Sequence, residues 1–313
     1  MMRMLSRPDG RASTDDDGFL YKYSVYDRLG ESDYKYSPHE AMQWPFVSSE
    51  MKIDFDKNGY VIVRDLLSDD ELDKVCLAVV QNKQFWDAAF PCEDIERKQF
   101  LQVVWTEAGS DILGVIAGSA KTVGISEQLL NKGEMYMYRG KMIRKKPMEG
   151  GTVVWHQDYG YWYRNGALFP DLATVTIALT SSTRENGGME VLKGSHLCGR
   201  LNHDKVGNQV GADADRISLM QKKLDVIELE LNPGDAVFYH ANLLHTSGPN
   251  LSDHLRWHLI FNYNCKDNVP LLQPECAYNK LQRHPAQAIT YCNNTEIDVS
   301  RKYIDGSPDQ IRH

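Results

Sequence analysis

The stretch Thr152-Val153-Val154-Trp155-His156-Gln157-Asp158 opens on β-branched residues and closes on an imidazole and a carboxylate. It follows a turn cluster, Glu149-Gly150-Gly151, and reads as a strand. Side chains alternate faces along a strand, so His156 and Asp158 point the same way. A neutral imidazole beside a carboxylate suits an intermediate divalent metal. A bare His-x-Asp is weak by itself, because such a pair is more often a surface or hydrogen-bonded couple.

Outward from this stretch the signal is of strands. Candidates are Gln99 to Trp105, Glu134 to Arg144, Ala173 to Thr180, Met189 to Leu192, Val226 to Leu231, Ala236 to Tyr239 and Leu255 to Tyr263. Glu185-Asn186-Gly187-Gly188, Asn232-Pro233-Gly234-Asp235 and Gly248-Pro249-Asn250 punctuate them. Many short strands with few helices between them predict an all-β sandwich or barrel, with helices ahead of it. Upstream, Asp56-Lys57-Asn58-Gly59 is a turn cluster and Tyr60 to Arg64 a short strand. Ser68 with Glu71 forms a capping box that opens a helix through about Val80. Residues 1–50 read as an irregular arm with a disordered leader, and 51–313 as one domain with its core over about 98–265. The polar, Gly- and Asp-bearing stretch 198–222 predicts a long loop or lid.

Bulk properties narrow the function. The 313 residues are 42% hydrophobic and 25% charged, ordinary globular usage. A net charge of −8 makes nucleic acid a poor partner. No apolar run approaches the ~20 residues of a membrane helix. The six cysteines (Cys76, Cys92, Cys198, Cys265, Cys276, Cys292) lack any C-x-x-C spacing, which argues against a zinc ribbon or a disulfide scaffold. A reduced, cytoplasmic setting and a small-molecule substrate are the expectation.

A second histidine strengthens the metal reading. His245, in Asn242-Leu243-Leu244-His245-Thr246-Ser247, follows the Pro233-Gly234-Asp235 turn and its strand. Two His and one carboxylate make the facial triad of iron(II) oxygenases, whose open positions suit the two oxygens of a 2-oxo acid and O2. Arg256, eleven residues past His245, offers a bidentate fork for a distal carboxylate, and Ser247 could donate to the same group. The blander reading of Arg256 is a surface strand arginine in a salt bridge. His240 is the main rival to His245. His254 and His258 share the strand parity of Arg256, which allows either to face the barrel.

With these motifs the chain resembles the phytanoyl-CoA dioxygenase family, its ectoine-hydroxylase-like members included. Matching segments, in the family's order over about residues 55–263, are Asn58 to Ser68, Trp155-His156-Gln157-Asp158, Glu185 to Met189, Lys193-Gly194-Ser195-His196, Pro233-Gly234-Asp235, and His245-Thr246-Ser247 with Arg256. The resemblance implies a double-stranded β-helix (jelly-roll) core with flanking helices. It implies Fe(II) on His156, Asp158 and His245, and 2-oxoglutarate on Arg256 and Ser247. Thr176 stands near a cofactor position of the family, as does Lys141, where relatives often carry Met or Gln. The implied reaction is hydroxylation or desaturation of a small metabolite, consuming O2 and releasing succinate and CO2. Asp158, where related halogenases carry a small residue, leaves no halide position.

Around the substrate, Trp162 stands where ectoine hydroxylases have a substrate-facing tryptophan, and Gln102 is a further pocket candidate. Tyr159, Tyr161 and Tyr163 read as packing. The basic run Arg139, Lys141, Arg144, Lys145, Lys146 could receive an acidic substrate or form a solvated edge; an apolar chain is the other substrate option. His196 reads as structural. Rival readings are a catalytically silent jelly-roll binding protein and a cupin-like metal protein that does not use 2-oxoglutarate.

Overall fold

The computed structural model describes residues 47–272, 278–298 and 303–304; the arm expected over 1–50 lies outside them up to residue 46. In chain order the strands are β1 (Tyr60–Val63), β2 (Phe90–Glu93), β3 (Gln99–Trp105), β4 (Met135–Lys145) and β5 (Val153–His156). Then come β6 (Leu172–Ala178), β7 (Met189–Leu192), β8 (His203–Val206), β9 (Gln209–Ala212) and β10 (Val226–Leu229). The last are β11 (Ala236–His240), β12 (His245–Ser247), β13 (Arg256–Cys265) and β14 (Tyr303–Ile304).

Eight of these make one sheet, ordered β1-β11-β6-β13-β4-β3-β14 with β2 also paired to β3, and four make a second, ordered β10-β7-β12-β5. From β4 onward the chain passes between them, placing β4, β6, β11 and β13 in the larger sheet and β5, β7, β10 and β12 in the smaller. That alternation is the double-stranded β-helix, a jelly roll, and it meets the expectation of a mainly β protein with flanking helices.

The middle of the larger sheet is buried on both faces. Every residue of β13 is buried, because it lies between β4 and β6 with the barrel interior on one side and helices on the other. Outward-facing Trp257 meets Trp86 at 5.4 Å, and Phe261 meets Trp105 edge-on at 6.3 Å. Gly140 makes room for that layer, since a Cβ there would lie 2.2 Å from the Trp105 ring.

The capping box forms as expected: Ser68 and Glu71 exchange hydrogen bonds and open a helix over Asp69–Gln81. The turn cluster at 56–59 is instead the end of an unexpected helix, Ser49–Asn58, capped by Ser48 and stopped by Gly59 in the left-handed region at φ 86°. A Cβ on Gly59 would meet the His196 ring at 2.5 Å, so this position is closed to other residues twice over.

The stretch 198–222 is not the loop or lid its composition predicts. It folds as the hairpin β8–β9 and a helix over Ala214–Met220 capped by Asp213. Gly207, at φ 61°, makes the tight turn, and polar residues on the hairpin mask the alternation. The hairpin is tied down: the Gln209 side chain bonds Thr152 O at 2.7 Å and the Val154 amide at 3.1 Å, and Tyr161 donates to Val210 O at 2.6 Å. Through Asn208, Gln209 and Val210 it forms one wall of the barrel cavity. No helix among the described residues is long and apolar enough to cross a membrane, and none of the described cysteines is in a disulfide.

Candidate metal centre and anion pocket

His156 and His245 are cross-strand partners on β5 and β12, next to each other in the smaller sheet. Their rings lie 4.1 Å apart between centroids. Asp158 is not on the strand, as alternation assumed, but is the first residue of a helical turn, Asp158–Trp162. Gln157 between them is extended (φ −112°, ψ 135°), so the parity survives past the end of the strand. The Asp158 Oδ1 is 3.8 Å from His156 Nε2 and 3.9 Å from His245 Nε2. One ligand atom from each of the three residues lies within 4.8 Å of the others, the convergence a single divalent ion needs.

The surroundings fix each group. His156 Nδ1 faces Val154 O at 2.8 Å and His245 Nδ1 faces Leu243 O at 3.0 Å, so in both rings Nδ1 carries the proton and Nε2 is the free lone pair. Burial holds both imidazoles below their ordinary range; for His156 the neighbouring His245 adds to it, whereas for His245 the Asp158 carboxylate opposes it. Asp158 Oδ2 accepts from Thr174 Oγ1 at 2.6 Å, and Thr174 in turn accepts from Asn262 at 2.9 Å. Gln157 staples the two ligand-bearing segments: its amide nitrogen bonds Asn242 O at 2.7 Å and Gly199 O at 2.8 Å, and its oxygen accepts from Leu201 N at 2.7 Å.

Opposite the metal ligands, the larger sheet presents cations. Arg256 is 2% exposed, and its Nε and Nη2 have no hydrogen-bond partner. Nη1 lies 2.6 Å from His258 Nδ1, which makes His258 the neutral tautomer with its other nitrogen directed to Ser182 Oγ at 3.0 Å. Burial pulls the guanidinium down to about 9. Lys145, directly across from Arg256 in the β4–β13 register, is fully buried. Its Nζ donates to Ser247 Oγ at 2.8 Å and to Gly248 O at 2.5 Å. Ser247 Oγ is thereby an acceptor on one side, and its own proton is left for an anion on the other. Burial, then the Arg256 charge, holds Lys145 well below the usual lysine range.

The nine residues given a metal, cosubstrate or substrate role from sequence line one cavity of about 210 Å³: His156, Asp158, His245, Arg256, Ser247, Thr176, Lys141, Trp162 and Gln102. Their neighbours separate them. Thr176 Oγ1 lies 3.4 Å from Tyr239 OH, and the Gln102 amide donates to Cys92 Sγ at 2.8 Å. Trp162 also packs edge-on against Tyr138 at 5.5 Å. Lys141 is four residues from Lys145 and is not at the Arg256 corner; the lysine there is Lys145, which the sequence reading left among undifferentiated basic residues. Strand parity separates that run: Arg139 and Lys141 line the cavity, while Arg144 turns outward onto the Trp86 ring at 4.8 Å. Tyr161, expected as packing, lines the cavity with its ring 5.3 Å from His156. Thr174 and Asn262 were passed over, although each shares parity with a named neighbour, Thr176 or Arg256, whereas His258, named for its parity, lines the cavity. The rival His240 ends β11 against Phe55 and His196, away from the triad, and His254 is exposed beside Asp253. A larger cavity, of about 730 Å³ beside Glu127 and Arg283, contains none of these groups.

The phytanoyl-CoA dioxygenase (PhyH) family model matches residues 55–257. L-Proline trans-4-hydroxylase of Streptomyces griseoviridis is 26% identical over 250 residues, 71% of this chain and 88% of that protein. An ectoine dioxygenase of Sphingopyxis alaskensis is 21% identical over 237 residues, 71% of this chain and 77% of that one. Among solved structures, EctD from S. alaskensis with 2-oxoglutarate and 5-hydroxyectoine has a TM-score of 0.64 at 20% identity, covering 77% of this chain and 89% of that one. The non-heme alpha ketoglutarate dependent carbocyclase SnoK from nogalamycin biosynthesis has a TM-score of 0.57 at 21% identity, covering 71% and 85%. At these identities the structural likeness is one of fold.

Proposed function

Because the chain belongs to the phytanoyl-CoA dioxygenase family, we propose that it is an Fe(II)- and 2-oxoglutarate-dependent dioxygenase that hydroxylates a small molecule. The donor set fits the metal: two imidazoles with free Nε2 atoms and one carboxylate leave half of an octahedron open. The anion corner fits the cosubstrate, since Arg256 offers two unsatisfied donors on one planar fork, matched to a carboxylate. When bound, iron with 2-oxoglutarate and O2 supplies an oxidation of a C–H bond, with succinate and CO2 as co-products.

The chain's own residues have definable tasks in this reading. Val154 O and Leu243 O hold the two ring protons, so the ligand tautomers are set before metal arrives. Thr174 occupies one oxygen of Asp158 and leaves the other for the ion. Arg256 takes the distal carboxylate of 2-oxoglutarate, and Lys145 turns the Ser247 hydroxyl toward it. Trp162, Tyr161 and the β8–β9 hairpin keep water from the reacting face.

The observation that carries the reading is the buried, half-unsatisfied Arg256 in the same cavity as the triad. Burying a cation without a partner is costly, and a metal protein with no use for a dicarboxylate would gain nothing from it. This is what sets the reading above a cupin-like protein that does not use 2-oxoglutarate, and above a silent relic. Anaerobic titration with Fe(II) and 2-oxoglutarate tests it. A weak visible charge-transfer band should develop at one equivalent of each, and oxygen should then yield succinate. A wild-type protein without that band, or a His245→Ala protein that keeps it, overturns the proposal.

A further inference from the structure

Arg139 and Lys141 are the cavity-lining cations without a task in the preceding reading; Arg139 lies over the Tyr138 ring at 5.6 Å, which leaves Lys141. It projects from β4 into the cavity, and among the described residues its Nζ has neither a hydrogen bond nor an ion pair. Its row in the sheet is fixed by register: Ile260 opposes Lys141 on one side and Thr176 on the other, whereas Lys145 opposes Arg256. At ~3.3 Å per residue, Lys141 is roughly 13 Å along the strand from Lys145. It therefore stands at the level of the metal ligands, past the end of the cavity that Arg256 and Ser247 serve.

Charge bookkeeping, which rests on the Fe(II)/2-oxoglutarate reading, gives the sign of what is missing. Asp158 and a 2-oxoglutarate dianion together exceed the charge of Fe(II) by one, and Arg256 cancels that excess. Lys145 is occupied by the oxygens of Ser247 and Gly248. Those neutral oxygens solvate Lys145 without cancelling its charge, whereas the half-buried Lys141 has neither a counter-anion nor such acceptors among the described residues, the arrangement that an arriving monoanion relieves. Burial pulls the Lys141 ammonium below the usual lysine range, while the Asp158 carboxylate opposes that shift. Arg139, on the same inward face two residues away, adds positive potential at the same end.

Size and polarity supply the rest. The cavity is about 210 Å³, below the ~300–1,000 Å³ of common ligand pockets, and it must hold the cosubstrate as well. Around Lys141 its walls are largely apolar, with Val104 and Ile260 beside it in the sheet, Phe90 and Ile304 packed on Val104, and Cys92 nearby. We propose that the substrate is a compact monocarboxylate with an apolar body, its carboxylate paired with Lys141 and its body lodged against Val104 and Ile260. Lys141 is then a substrate-specificity residue rather than a cosubstrate anchor.

The test uses the full chain loaded anaerobically with Fe(II) and 2-oxoglutarate, and calorimetric titration with two probes of one shape. Cyclopentanecarboxylate and cyclopentanecarboxamide are near-isosteres, the amide exchanging one anionic oxygen for a neutral NH2. The visible band is recorded first in wild type; its absence sinks the dioxygenase reading itself and is thereby told apart from failure here. With the band present, the carboxylate should bind ten-fold or more tighter than the amide, the size of a charge-assisted hydrogen bond. Lys141→Met should erase that preference, Lys141→Arg should retain most of it, and 2-oxoglutarate affinity should stay within about two-fold in both. Lys141→Gln replaces Lys141→Met if the latter fails to fold. Equal binding of the two probes, no binding of either, or a preference that survives loss of the amine overturns the proposal. So does a ten-fold loss of 2-oxoglutarate affinity in Lys141→Met, which would make Lys141 a cosubstrate residue.

Discussion

Among the described residues two pairs of imidazoles meet ring to ring, and one of them has a carboxylate that completes a candidate metal site. The His156 and His245 rings lie 4.1 Å apart, tilted by 52°, and those of His196 and His240 5.5 Å apart, tilted by 51°. Burial depresses all four. The difference is in what the outer nitrogens find. In the first pair each Nδ1 is spent on the carbonyl two residues back, so both Nε2 atoms face the Asp158 carboxylate across an open cavity. In the second pair His196 Nε2 meets Asp56 O at 3.0 Å, and His240 Nδ1 accepts from Asn242 N at 3.0 Å, so the rings close backbone turns instead. Clustered histidines are therefore not sufficient for a site. A carboxylate on the same side and a free lone pair on each ring are the added conditions.

The sharpest way to break this comparison is to remove one ring from each pair. His245→Ala should abolish the Fe(II)/2-oxoglutarate band and reduce succinate formation by more than the ~10–100-fold seen when groups behind metal ligands are lost. His240→Gln should leave succinate formation within about two-fold and lower unfolding stability by about 1 kcal/mol, the size of one buried hydrogen bond. Steady-state turnover and urea denaturation of the two variants check this together. Comparable loss of turnover in both would erase the distinction.

A smaller effect separates metal from anion. Arg256→Met should raise the KM for 2-oxoglutarate by roughly 10–150-fold, corresponding to about 1.5–3 kcal/mol for hydrogen bonds to a charged group. Fe(II) binding should be unchanged, because no iron ligand touches the guanidinium. The ligand-free variant should be no less stable than wild type, since an uncompensated buried charge is replaced by an apolar chain. Added 2-oxoglutarate should raise the melting temperature of wild type and not of the variant. A destabilised apo variant would mean that Arg256 is a structural ion-pair member with an unrecognised partner.

The same contrast explains what was legible in the sequence. The His-x-Asp pair was readable because both residues lie within three positions of each other, and the extended Gln157 preserves the parity of the strand it terminates. His245 and Arg256 were readable from their place after a turn and on a strand. Fold class followed from punctuated short strands, and strand bounds such as Gln99–Trp105 and Met189–Leu192 came out as expected. What failed was whatever depends on which strand lies beside which. Lys145 acquires its role only because the β4–β13 register sets it against Arg256, and no spacing along the chain announces that pairing. Lys141 was accordingly named at a cosubstrate position, while the lysine that register sets against Arg256 is Lys145. The hairpin β8–β9 was hidden for another reason: its strands are four residues long and polar, so composition read as a loop although the turn at Gly207 was present.

The last distinction between the two histidine pairs lies in pH, and it concerns His240 because this ring has no part in metal binding. Burial holds His240 down at about 4 against 6.5 in the unfolded chain, with His196 and Lys132 acting in the same direction and Asp56 against them. As pH falls below 6.5 the unfolded chain takes up a proton there that the folded chain refuses until about 4. Stability from this group is thus fully present above 6.5 and declines across that window, with a slope of at most ~1.4 kcal/mol per pH unit for one proton. Partial exposure of the ring brings that to about 1. Urea midpoints of the metal-free protein at pH 7, 6, 5 and 4.5 should fall in wild type, and fall more gently in His240→Gln by about that amount per unit. His203, also held down at about 4 by burial, leaves a residual slope in the variant. Parallel curves for the two proteins would place the protonation elsewhere and make His240 a charged partner of Asp56 in the folded state.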